Sequence, residues 1–241
     1  MSISIKKHKP PDLKRVRFNC DSKLCEKLDD YELLSNLNRS HFLALIGKAG
    51  SGKTAMMVSL LKSPTAFRGI FENIMIIIPP TSRASIENHF FEKNLPSENI
   101  YDELTIENLQ EINDRIEANS SAGERTLLIM DDVQRALKDN DVRKLVLNLN
   151  NNRRHLKLSM WILAQNFTKM EKSLRMGLTD VIVFKVGKVE FGNIFEELIE
   201  MSQDMFKKVL KYFFKEPYSF MYLNTNTQRI FSNFDEIVIE E

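Results

Sequence analysis

From position 42 onward, short apolar runs recur along the chain, each separated from the next by a segment of helical spacing. The runs are Leu43 to Ile46, Ile74 to Ile78, Leu127 to Met130, Met160 to Ala164 and Val181 to Val186. A strand with one solvated face alternates apolar and polar residues. Apart from Lys185 in the last, these runs are apolar at consecutive positions, so they predict strands buried on both faces of a mostly parallel sheet. Between them, Leu109, Ile112 and Ile116 share one face of a helix, as do Val142, Leu145, Val146 and Leu149, and each stripe would lie on the sheet. Phe191, Ile194, Phe195, Leu198, Met201 and Met205 form one further amphipathic stretch, whose Phe and Met side chains are expected in the core. At the end, Tyr218 to Leu223 and Gln228 to Phe231 flank the polar turn Asn224 to Thr227, the pattern of a strand hairpin. The expected fold is α/β: a mostly parallel sheet flanked by helices, closed by a C-terminal hairpin.

Residues before position 41 break this pattern. They are polar and marked by Pro10-Pro11, and the first twenty carry Lys6, Lys7, Lys9, Lys14, Arg15 and Arg17 against the single acid Asp12. The chain therefore divides into a basic N-terminal arm and lead-in segment, residues 1–40, and one large domain, residues 41–241; 241 residues suit one full core better than two. No apolar stretch approaches the length of a membrane span and no secretory signal opens the chain, so a cytoplasm-like compartment is expected. Cys20 and Cys25 have no second pair and no nearby histidine for a zinc site, which favours reduced, structural thiols. A net charge of +1 argues against a globally basic DNA-coating protein and confines any nucleic-acid contact to local surfaces.

Chemistry enters directly after the first apolar run. Gly47-Lys48-Ala49-Gly50-Ser51-Gly52-Lys53-Thr54 is a complete G-x-x-x-x-G-K-T phosphate-binding loop, preceded by a strand and followed by good helix formers. Its glycines let backbone N–H groups converge on phosphates, and the helix starting near Lys53 adds its positive dipole end. Lys53 is expected to reach the β- and γ-phosphates of ATP, and the Thr54 hydroxyl to bind Mg²⁺. The third run ends in Asp131-Asp132. Neighbouring strand positions point to opposite sides, so the two carboxylates take different roles: Asp131 in the Mg²⁺ shell, Asp132 on the attacking water. The fourth run ends in Gln165, where a parallel sheet delivers its C-terminal edge to a ligand crevice; an amide there can sense phosphate or water. Arg153 and Arg154 are candidates for an arginine finger supplied to a neighbouring subunit, and Lys169, Lys172 and Arg175 for contacts with DNA phosphates. His155 is read as a packing or capping residue.

The order of these motifs resembles the FtsK/HerA-type genome-packaging ATPases of large eukaryotic DNA viruses and virophages, over roughly residues 40 to 238. The ending, Tyr218 to Leu223, Arg229 and Phe234-Asp235-Glu236, resembles that family too. The resemblance implies an additional-strand, RecA/FtsK/HerA-like P-loop NTPase core and a homo-oligomeric ring. It also implies ATP-driven movement of double-stranded DNA into a preformed capsid or portal-like shell, in a viral factory of the host cytoplasm or in the virion. It assigns Lys53 and Thr54 to nucleotide and Mg²⁺, Asp131 to the second motif, Asp132 to the catalytic carboxylate and Gln165 to the sensor.

Two other classes share the phosphate loop. A small-molecule or nucleotide kinase would need a compact arginine-rich lid after the third strand, and none is evident. A GTPase-type switch would need a guanine-reading tetrad, which Thr168-Lys169-Met170-Glu171 matches only loosely because Glu171 replaces an aspartate.

Overall fold

The computed structural model describes residue 37 and residues 39–238, except 65, 87 and 88. The basic arm and both cysteines lie outside the described residues. Nine strands pair in the order β3-β2-β4-β5-β1-β6-β7-β8-β9. They are β1 (Phe42–Ile46), β2 (Asn73–Ile77), β3 (Ile100–Tyr101), β4 (Thr126–Asp131), β5 (Leu158–Ala164), β6 (Asp180–Phe184), β7 (Phe220–Asn224), β8 (Ile230–Ser232) and β9 (Asp235–Glu236). The helices are α1 (Lys53–Lys62), α2 (Pro80–Ala84), α3 (Phe90–Asn94), α4 (Ile106–Ser121), α5 (Asn140–Asn152), α6 (Lys172–Met176), α7 (Lys188–Leu198) and α8 (Gln203–Leu210).

β1 to β6 run parallel, and β7 to β9 add an antiparallel edge beyond β6. β5 sits between the loop-bearing β1 and the carboxylate-bearing β4, so the core has the additional strand that the resemblance implied. In register, Ile46 lies beside Ala164 and Asp131 beside Leu163, which brings the C-terminal ends of β1, β4 and β5 to one edge.

The unbroken apolar runs follow from helices on both faces. In β1, Phe42, Ala44 and Ile46 pack into a cluster with Leu109, Ile112 and Ile116 of α4 and Val142, Val146 and Leu149 of α5. Leu43 and Leu45 face the other way, onto Met57, Leu60 and Leu61 of α1. Consecutive residues of one strand thus enter two different cores, and a polar residue at either would be buried. Polar exceptions are paired: Trp161 Nε1 donates to Nε2 of the buried His41 at 2.7 Å.

Caps place the covering helices. The Thr105 hydroxyl accepts from Asn108 N–H to start α4, and the Asp139 carboxylate accepts from Asp141 and Val142 N–H to start α5. The stretch from Phe191 to Met205 is two helices rather than one. α7 ends at Leu198, and Ser202 caps a new helix by accepting from Met205 N–H at 3.3 Å, leaving Met201 and Met205 half-buried. At the antiparallel edge, Arg229 pairs with Glu236 and stacks over Phe231, tying β9 to its neighbour.

Candidate active site

The phosphate loop is built by close approach. A Cβ at Gly47 would stand 2.5 Å from Ser51 Oγ and 2.9 Å from Phe184 Cβ, so only hydrogen fits where the chain leaves β1. Gly52, at φ 101°, holds the left-handed turn that aims α1 at the loop, a conformation a side chain resists. Gly47 N–H donates to Ala164 O at 3.1 Å, fixing the loop to the end of β5 and placing the exposed Gln165 beside it. Lys48, Ala49 and Gly50 form the exposed crest of the loop.

Lys53 opens α1 and folds back over its own loop, donating from Nζ to Gly47 O at 2.7 Å and Lys48 O at 3.0 Å. Across from it, Asp131 is buried at the end of β4 and accepts a hydrogen bond from the Thr54 side chain. Burial lifts the Asp131 carboxyl to about 6, outweighing the opposing pull of Lys53 and Thr54; burial likewise lowers the Lys53 ammonium, against the attraction of Asp131 and Asp132. Each group is pushed toward neutrality by the same loss of water, so a site that supplies phosphates and a cation would restore both charges.

Asp132 leaves the strand in the left-handed region, at φ 55°, and is exposed. The two adjacent carboxylates thus diverge, one buried against Thr54 and one open to solvent. Gln134 Nε2 donates to Asn166 O at 2.7 Å, linking the turn after β4 to the loop after β5. Nothing in the sequence singled out Gln134, because its acceptor is a backbone carbonyl 32 residues away, in the loop after β5.

Three expected residues sit elsewhere. Arg153 lies at the opposite edge of the sheet, where Nε donates to Ser40 O at 3.0 Å and Nη1 to Asn150 O and Oδ1 at 2.8 and 2.9 Å. It braces the scaffold. Arg154 is exposed at that same edge, and the length of β5, about 20 Å at 3.3 Å per residue, separates both arginines from their own phosphate loop. Arg175, expected on DNA phosphates, is half-buried and engaged within the chain: it forks onto Glu197 at 2.8 Å through two nitrogens, donates to Thr168 O and Met170 O, and stacks on Phe167. Lys169 and Lys172 are exposed. Glu171 caps α6 by accepting from Ser173 and Leu174 N–H, which removes it from any role in reading guanine. His155 is exposed, and its carbonyl accepts from Ser120 Oγ.

Sequence reasoning also passed over the segment facing the loop from the antiparallel side. Residues 48–51, Phe184, Phe214 and Tyr218 line a cleft of about 500 Å³ there.

The same fold occurs in the genome-packaging NTPase B204 of Sulfolobus turreted icosahedral virus 2, solved with ATP-gammaS, with a TM-score of 0.59 at 16% identity; the match covers 84% of this chain and 100% of that one. ATPases 2 and 3 of EssC from Geobacillus thermodenitrificans align with a TM-score of 0.55 at 14% identity, over 84% of this chain and 40% of that one. The cytoplasmic domain of the type VII secretion ATPase EccC from Thermomonospora curvata gives 0.53 at 11% identity, over 83% of this chain and 24% of that one. A comparison with curated protein sequences gives no match. Residues 30–234, most of the chain and all of the site just described, match the family described as Poxvirus A32 protein, and the chain belongs to that family.

Proposed function

We propose that this protein is an ATPase that drives double-stranded DNA into a viral shell, working as a homo-oligomeric ring. The observation that carries the reading is the convergence of Lys53, Thr54, Asp131, Asp132 and Gln165 on one sheet edge, in a fold shared with a viral genome-packaging NTPase. In this reading the loop N–H groups of residues 47–54 and Lys53 hold the ATP phosphates. The hard oxygen donors of Thr54 and Asp131, already hydrogen-bonded to each other, fit Mg²⁺ and would hold it, and the ion would supply positive charge against the phosphates. Asp132, open to solvent, orients a water whose oxygen attacks the γ-phosphorus as the bond to the β-phosphate oxygen breaks, giving ADP and inorganic phosphate. Gln165, next to the Ala164 carbonyl that holds Gly47, is placed to transmit loss of the γ-phosphate to the segment that follows.

The kinase reading finds no support. Between β4 and β5 the chain forms only the short turn Ala136–Lys138 and the core-packed α5, leaving no lid. Among the described residues no helix is long and apolar enough to cross a membrane. Phosphate release measured with and without long double-stranded DNA, over a range of protein concentrations, tests the proposal. A motor that assembles on DNA gives a specific activity that rises with both; a rate indifferent to both overturns it.

A further inference from the structure

A second cleft, of about 410 Å³, opens beside β2 and far from the phosphate loop. Its floor is apolar, built from Leu61, Ile74, Phe90 and Leu95, and its rim carries Lys62, Arg68 and Lys93. All three cations are exposed; Lys62 lies over the Phe90 ring, 5.7 Å from its centre, and among the described residues none of the three has an ion-pair partner. No acid lines the cleft. The acids beside these residues in sequence are engaged elsewhere, Glu72 with Arg125 and Glu92 with Arg83, each at 2.9 Å. Three like charges around an apolar floor repel one another, and an occupant that brings apolar side chains together with carboxylates relieves them.

The chain carries such a segment at the other edge of its sheet. β7, β8 and β9 alternate in direction beyond β6, so β9 runs opposite to β1 and delivers the chain to the end of the sheet away from the phosphate loop. There Ile237 N–H donates to Ile230 O at 2.8 Å, and Val238 emerges 73% exposed. The residues after Ile237 read Val238-Ile239-Glu240-Glu241, two apolar and then two acidic. The cleft lies at the same end, because Ile74 stands at the start of β2 and Leu61 and Lys62 close the helix that returns from the loop. It is out of reach within one subunit: β2 and β9 are seven strand spacings apart, roughly 34 Å, whereas four residues span at most about 14 Å. A head-to-tail ring joins two different surfaces of successive subunits, and these two lie at opposite edges on one level. Resting on the ring in the reading above, we infer that residues 238–241 of one subunit dock in this cleft of the next, Val238 and Ile239 on the apolar floor and Glu240 and Glu241 against the rim cations.

Sedimentation velocity of the full chain over a range of concentrations, with Mg-ATP present, reads the subunit dissociation constant and tests this. Reversing the segment, with Glu240→Lys and Glu241→Lys, and reversing the rim, with Lys62→Glu and Lys93→Glu, should each weaken assembly at least about ten-fold, because like charges are then brought together. Lys62 and Lys93 are exposed, so the rim variant should keep its melting temperature. All four changes in one chain should restore assembly. An equimolar mixture of the two double variants should restore it as well, which a contact within one subunit could not do. Assembly unmoved by either reversal, or a loss that neither combination recovers, overturns the inference while leaving the ring in place. Duplex DNA binding lost in the rim variant with assembly intact assigns the cleft to nucleic acid and overturns it too. An unaltered chain that stays monomeric at every concentration overturns the ring along with it.

Discussion

Lys53 donates from Nζ to the carbonyl of Gly47, 2.7 Å away and six residues earlier, so the amine lies along its own loop. A phosphate placed in the loop replaces these carbonyls with a charged acceptor, which makes the stronger bond. Lys53→Ala should therefore abolish ATP turnover, by a factor on the order of 10³ or more, with at most a modest loss of stability. Initial-rate assays alongside thermal melts check this, and a near-normal rate would remove the site assignment.

The burial of Asp131 and exposure of Asp132 predict different failures. Asp131→Asn should weaken Mg²⁺-dependent nucleotide binding, since the residue bonded to Thr54 loses its charge. Asp132→Asn should bind Mg-ATP normally and hydrolyse it about 10²–10⁴-fold more slowly. Binding and single-turnover measurements on both variants separate the roles; the reverse outcome would exchange the assignments.

The two neighbouring arginines should also part. Arg153→Ala leaves the Ser40 and Asn150 oxygens without their donor and should cost about 1–3 kcal/mol of stability. Arg154 is too far from its own phosphate loop to act there, so a catalytic Arg154 must serve a neighbour. Arg154→Ala would then be inactive alone and partly rescued by mixing with Lys53→Ala, whose arginine is intact. A fully active Arg154→Ala variant would exclude a finger at this position.

Asp180, completely buried, accepts from Thr179 Oγ1, Tyr222 OH and Asn224 Nδ2. Burial still dominates these bonds and lifts its carboxyl from 3.8 to about 7. The folded chain therefore keeps a proton that the unfolded chain releases, and stability falls as pH rises across that interval. Thermal melts from pH 4 to 8 should show this decline, and Asp180→Asn should reduce it to the part that Asp131, lifted to about 6, contributes. An equal slope in both proteins would place the titration elsewhere.

DNA contacts proposed at Lys169 and Lys172 predict that replacing both with Ala reduces the salt slope of duplex binding, by about 0.9 per lost phosphate contact in each subunit. Arg175→Ala should act through stability, since its guanidinium is committed to Glu197. An unchanged slope in the double variant would move the DNA path to another surface.

How much of this was legible in the sequence depended on how local each relationship is. The five long runs were visible because burial on both faces forbids polar residues along them, as at Leu127 to Met130. The two-residue strands β3 and β9 carry no period to detect, and the break before Ser202 hid inside a continuous apolar spacing that the cap interrupts. The phosphate loop is a contiguous motif and was read directly. The internal bonds of Arg153 and Arg175 were not legible because their acceptors are supplied by folding, at Ser40, 113 residues away, and Glu197, 22 residues away. Tyr218 looked like the start of a strand; only the folded backbone shows its strained turn against Gly52.

The central claim is that ATP hydrolysis moves duplex DNA. Displacement of a triplex-forming strand from a long duplex measures that movement, since the third strand is released only when a motor travels through it. The unaltered protein should displace it in an ATP-dependent manner, and Lys53→Ala should not. DNA-stimulated hydrolysis that leaves the triplex intact would contradict the account.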